Sequence, residues 1–122
     1  MNKGKLKRDK TYYEFNGQFY GKGRLILAVI QYLAKKKSPE TLQKDFDEEF
    51  NSSYPVIAPY HEGKKLSHTY RRYFIEKESV INARNGIKYV VTNQIGIGNI
   101  KPLINIARAK YGLKIRSIKA MV

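Results

Sequence analysis

The chain of 122 residues contains no cysteine and no tryptophan. Without cysteine there is no disulfide framework and no thiolate metal site, which fits a reducing compartment and a cytoplasmic location. No apolar run reaches the ~18 residues needed to span a bilayer, so no membrane segment is expected. The basic N-terminus lacks the apolar core of a signal peptide. Acidic residues are scarce, 10 against 24 Lys plus Arg, and after Glu78 there are none. No internal repeat, low-complexity tract or domain boundary is visible. What is present is 42% hydrophobic content with ten tyrosines. That is enough for one folded domain, which at this size buries roughly two thirds of the surface of its unfolded chain.

The formal net charge is +14. An imbalance of that size repels itself in a compact fold, and a polyanion relieves it. Nucleic acid is the commonest such partner. The charge is also segregated. From Ser79 onward there are eight basic residues and no acidic one, and residues 1–10 form a basic arm with Lys3, Lys5, Lys7, Arg8 and Lys10. The segment Glu40–Glu49 instead holds five carboxylates. A region of one sign steers an anionic ligand, and the acidic segment is expected to face away from it.

The order of elements predicts a small single-domain α+β fold over residues 11–122, built from a helix pair and β-hairpins. Asn16-Gly17 marks a hairpin with strands near 12–15 and 18–20, closing at the Gly21 and Gly23 turn. In "RLILAVIQYLAKKK", Leu25, Ile26, Val29, Ile30 and Leu33 recur at helical spacing, and Lys35–Lys37 suit the negative end of that helix. In "SPETLQKDFDEEF", Ser38 is the N-cap, Pro39 the first helical residue, and Leu42, Phe46 and Phe50 the apolar stripe. Residues 51–70 read as an irregular loop with a short strand near Val56. Residues 71–76 are strand-like. Asn85-Gly86 predicts a type I′ turn between strands 80–84 and 87–92. Asn99 is the expected cap of a last helix that Gly112 stops, followed by a final strand carrying Lys114 and Arg116. A helix pair followed by a hairpin also points to a winged-helix-like arrangement, with Arg84 and Lys88 at the tip of the wing.

Catalytic signals are weak. His61 and His68, in a loop without cysteine, match no common zinc spacing. Ser67, His68 and Glu62 cluster in sequence only. Glu76 and Glu78 are the only carboxylates placed for a metal-dependent nuclease. The turn "GIGN", Gly96 to Asn99, has the flexible backbone and following helix of an anion site, but no Lys-Ser/Thr follows its glycines, so it is not a P-loop and no cofactor is expected. It reads either as a strand-to-helix connection or as a phosphate contact, and Lys101 favours the latter. Arg71 and Arg72, beside Tyr70, form the best patch for phosphate or guanine. The aromatics Tyr12, Tyr13, Phe15, Phe19, Tyr20, Tyr70, Tyr73 and Phe74, interleaved with cations, offer either core packing or a stacking platform.

Four stretches, "YGKGRLILAVIQYL", "RRYF", "NGIKYVVTNQIGIGNI" and "YGLKI", resemble a small DNA-binding or targeting module found beside nuclease or ATPase parts in bacterial and phage restriction-type proteins. Ile95 stands where that pattern has an aromatic. The resemblance implies a DNA-binding or targeting module and carries no implication of catalysis; DNA is favoured over RNA, although charge alone does not tell the two apart. The expected nucleic-acid-binding residues are Lys22, Arg24, Arg71, Arg72, Arg84, Lys88, Asn99, Lys101, Arg108, Lys114 and Arg116. Two alternatives stand beside this: a small metal-dependent nuclease, and a phage-encoded inhibitor whose partner is an acidic protein surface.

Overall fold

A computed structural model describes residues 11–50, 54–68 and 71–119. The basic arm, residues 1–10, and Tyr70 lie outside them. The fold is a small α+β single domain, in which the described residues form four helices and two three-stranded antiparallel sheets. Among the described residues no helix is long and apolar enough to cross a membrane.

The first sheet has the order β2-β1-β6. Strand β1 (Thr11–Phe15) turns into β2 (Gln18–Tyr20) through Asn16 and Gly17. Both turn residues take positive φ, 53° and 78°, as the type I′ geometry requires. Strand β6 (Arg116–Lys119) closes the sheet on the far side of β1, pairing Glu14 with Arg116 and Tyr12 with Ile118. The alternation that sends Tyr13 and Phe15 inward leaves Tyr12, Glu14 and Phe19 on the outer face.

Helix α1 (Lys22–Leu33) is the centre of the core, with Leu25, Ile26, Leu27, Val29, Ile30 and Leu33 all buried. Burying each such side chain contributes about 1.5–3 kcal/mol before entropy is counted. The helix begins at Lys22, so Gly23 is not part of a turn; it sits in the first helical turn. It also ends at Leu33, and Lys35–Lys37 occupy the turn beyond it. Helix α2 (Pro39–Asp47) starts as its sequence requires, with the Ser38 hydroxyl accepting from the Thr41 amide at 3.2 Å. It buries Leu42 and Phe46.

The second sheet has the order β3-β5-β4, formed by β3 (Ile57–Pro59), β4 (Ile81–Asn82) and β5 (Lys88–Val91). Three expectations fail here. Within the stretch expected to be irregular, Tyr60–Leu66 forms helix α3. Its signal is hidden because its one buried residue is Gly63, a poor helix former. A Cβ there would stand 2.4 Å from Val90 Cγ2 and 3.3 Å from Tyr73 Cγ, so the helix is held by close approach to β5. Residues 71–76 do not form a strand. They run as a strap joined to the sheet by the single bridge Tyr73–Thr92, followed by a 3₁₀ turn at Lys77–Ser79. The Asn85-Gly86 turn is not type I′, because only Gly86 (φ 85°) is left-handed. The Gly86 amide donates to the Ala83 carbonyl and the Ala83 amide to the Ile87 carbonyl, both at 3.0 Å. This is a type I turn with a glycine bulge, and the flanking strands are shorter than expected.

Helix α4 (Ile97–Tyr111) packs Ile100, Leu103, Ile104 and Ala107 against the core. Its cap is Gly96 and not Asn99, which lies inside the first turn. Gly112 ends it in the left-handed conformation at φ 65°, its amide bonded to the Arg108 carbonyl.

Candidate nucleic-acid interface

The first four amides of a helix have no partner within it and carry its positive end. In α2 that end is compensated by Ser38 and Glu40. Helices α1 and α4 differ. Each is preceded by a glycine, makes no side-chain cap hydrogen bond and has no acidic residue in its first turn. Lys22 and Arg24 stand in the first turn of α1, and Asn99 and Lys101 near the start of α4.

The strap from Arg71 to Phe74 touches the first turn of α1 and the loop that leads into α4. A Cβ on Gly23 would lie 3.4 Å from the Phe74 ring and 3.6 Å from the Asn93 carbonyl, so the first turn of α1 rests directly on the strap and on the loop into α4. The Arg24 guanidinium lies 4.5 Å from the centre of the Phe74 ring. The loop is stitched to the strap by the Asn93 amide, which donates to the Arg72 carbonyl at 2.9 Å, and by the Thr92 hydroxyl, which donates to the same carbonyl at 3.1 Å. The Gln94 side chain donates to the Arg71 carbonyl at 3.3 Å. From Gln94 the chain passes through buried Ile95 to Gly96 and α4.

Arg71 is exposed and forms an ion pair with Glu76. Arg72 stacks its guanidinium over Tyr54, 4.4 Å from the ring centre. Both side chains are thereby oriented without being buried. Asn93 and Gln94, two amide side chains on the same loop, were not among the sequence candidates. Their signal was positional, since a strand-to-helix loop is where an α/β unit presents polar groups.

The remaining candidates lie elsewhere. Arg84 and Lys88 are exposed on the β4–β5 hairpin, whose tip is tied to α2. The Glu40 carboxylate accepts from the Asn85 amide group at 3.3 Å and from the Tyr89 hydroxyl at 3.0 Å. Burial, and after it the bond to Glu40, push the Tyr89 phenol pKa up. A groove of about 270 Å³ beside it is lined by Lys35, Lys36, Lys37, Glu40 and Arg84. The three lysines therefore share a surface with the hairpin, which their sequence position did not disclose.

Arg108, Lys114 and Arg116 form a third group around a shallow cleft that also touches Asn16 and Gly17. The Arg108 Nε donates to the Ile115 carbonyl at 3.2 Å and so fixes the turn after α4. The Arg116 Nε donates to Glu14 at 2.9 Å. The sequence-predicted cations of this part of the chain thus fall into three groups, each shared with residues from the amino-terminal half, and Lys110 stands apart from them, paired with Asp45.

The acidic helix is more internal than its composition implied. Asp45 accepts from the Tyr111 hydroxyl and from Lys110 Nζ at 3.0 Å, and these donors hold its carboxyl below the usual range. Half-buried Asp47 accepts from the Val56 amide at 2.6 Å; burial pushes its pKa up despite that bond. Glu48 and Glu49 are exposed. Glu62 and His61 are exposed on α3 and His68 just beyond it, and among the described residues no group of three or more His, Asp or Glu is placed to hold one metal ion.

Comparison of the chain with protein-family models, with curated proteins and with solved structures finds no match in any of the three.

Proposed function

We propose that the protein is a nucleic-acid-binding module of a cytoplasmic bacterial or phage protein, with DNA favoured over RNA by its resemblance to restriction-type modules. The observation that supports this most is that two helix starts without a side-chain cap or acidic first turn, those of α1 and α4, are linked by a loop and a strap that carry Asn93, Arg71 and Arg72. Backbone amides at such ends bind phosphate, and the flanking cations Lys22, Arg24 and Lys101 add charge-assisted bonds. Binding of this kind releases condensed counterions, so log affinity falls with log salt by about 0.9 per phosphate neutralised on duplex DNA. The contacts position the chain on the backbone. Of the side chains present, Arg71, Arg72, Asn93 and Gln94 are the types that read base edges.

The test is an electrophoretic shift with duplex DNA, single-stranded DNA and duplex RNA at two salt concentrations. The expected result is retention of duplex DNA that weakens steeply with salt. Replacing Arg24, Arg72 and Lys101 together by alanine should weaken binding for all sequences. Absence of binding to any nucleic acid at low salt removes the reading, and cleavage of plasmid that EDTA abolishes replaces it with the nuclease.

A further inference from the structure

The outer face of the β2-β1-β6 sheet presents the two most exposed large hydrophobic side chains among the described residues, Phe19 at 62% and Tyr12 at 50% exposure. Their placement follows from register. Phe19 pairs with Glu14, Glu14 pairs with Arg116, and Tyr12 pairs with Ile118, so all five side chains share one face in two adjacent rows. Tyr12 and Phe19 are diagonal neighbours on paired strands, on the order of 7 Å apart. Single exposed apolar residues are ordinary on a protein surface. Two aromatics side by side on a strand pair, flanked by an arginine, are a different arrangement.

Glu14, the one acid on this face among the described residues, is matched by Arg116 at 2.9 Å and so does not oppose an anion. Lys114 and Arg108 border the same sheet at the turn after α4, beside Asn16 and Gly17. The face therefore combines flat aromatic surface with a positive border. Bases in a duplex hide their faces in the stack, whereas a single strand offers them.

We infer that the outer face of this sheet binds single-stranded nucleic acid, with bases stacked on Tyr12 and Phe19 and the backbone running past Arg116 and Lys114. This inference rests on the nucleic-acid reading and extends it. The helix starts hold duplex phosphates, and this second surface takes unpaired nucleotides. It also gives a role to Lys114 and Arg116, which lie away from the helix starts.

The chain has no tryptophan, so a Phe19→Trp variant carries a single reporter on this face. Its emission should be quenched on titration with oligo-thymidine or oligo-uridine, the two arms separating DNA from RNA. Fluorescence anisotropy with labelled strands supplies the affinities. The Tyr12→Ala/Phe19→Ala double variant should lose tenfold or more in single-strand affinity, about the effect of one lost stacking contact, and keep its duplex affinity. The Phe19→Tyr variant should keep both, which excludes a general loss of fold. Unchanged single-strand binding in the double variant, with duplex binding intact, overturns the platform but leaves the nucleic-acid reading standing. Failure of the parent chain to bind any strand or duplex overturns both. Sedimentation showing a dimer that the double variant abolishes, without an effect on strand binding, assigns the face to a second copy of the chain and likewise overturns the platform.

Discussion

The guanidinium of Arg24 stands 4.5 Å from the centre of the Phe74 ring, on the surface where the first turn of α1 meets the strap. Phe74 is buried while Arg24 is exposed, so the contact orients the arginine without withdrawing it from solvent. A group held in place loses less freedom on binding.

For the Arg24→Ala variant, the expected loss of DNA affinity is about 1 kcal/mol, roughly fivefold. The slope of log affinity against log salt should become shallower by about one phosphate. Thermal stability should change little, because an exposed cation–π contact contributes about 0.5–1 kcal/mol. The Arg24→Lys variant should keep the slope and lose part of the affinity. Anisotropy titrations at a series of salt concentrations measure both.

Asp45 links α2 to the end of α4 through the Tyr111 hydroxyl and Lys110. Its carboxyl pKa is lowered from the usual 3.8. The stability it contributes is therefore present above that value and is lost as pH falls through the lowered one. The Tyr111 phenol is shifted the other way, upward, by burial and by Asp45. Its contribution is present below about pH 10 and is lost as pH rises through the raised value. The Tyr111→Phe variant should be destabilised by about 1.5 kcal/mol at neutral pH and should show a weaker dependence on pH at both ends. Urea midpoints across the pH range give the answer.

Asp47 has the opposite sign to Asp45. Burial raises its pKa, so the folded state disfavours the ionised form and stability decreases as pH rises through the raised value. The Asp47→Asn variant keeps an acceptor for the Val56 amide without the charge and should match or slightly exceed the parent at neutral pH. The Asp47→Ala variant leaves that amide unpaired and should lose about 1–3 kcal/mol. Chemical denaturation of the three proteins side by side distinguishes them.

At Gly63, a methyl group would stand 2.4 Å from Val90 Cγ2 and 3.3 Å from Tyr73 Cγ, both in fully buried residues, so α3 and β5 would have to shift apart to admit it. The Gly63→Ala variant should be destabilised by about 1–3 kcal/mol, even though alanine is the better helix former. Hydrogen exchange should show the loss concentrated in α3 and β5, and a thermal melt gives its size.

Much of the fold was legible in short stretches. Asn16-Gly17 specified its hairpin because the two residues that tolerate positive φ stood together where the chain had to reverse. Ser38-Pro39 specified the start of α2, and Gly112 the end of α4, because a cap acts within one turn. The candidate interface was legible only as residue types. The cations were countable, but Lys35–Lys37 gave no sign that they would line a groove with Arg84, nor Arg116 that Glu14 would stand beside it. Those neighbours are brought together by the packing of α1 and by the register of β6 on β1.

The sequence by itself determined the charge, the class of fold, the apolar faces of α1 and α2 and the turns whose geometry needs a particular residue. All of these depend on interactions between residues a few positions apart. Tertiary structure alone decided that Tyr60–Leu66 is a helix, that Arg71–Phe74 is a strap and not a strand, and that α4 starts at Ile97. In each case the local preference was small, and packing against a distant surface outweighed it. At position 63, Val90 and Tyr73 leave no space for a Cβ, so a poor helix former stands in the middle of α3.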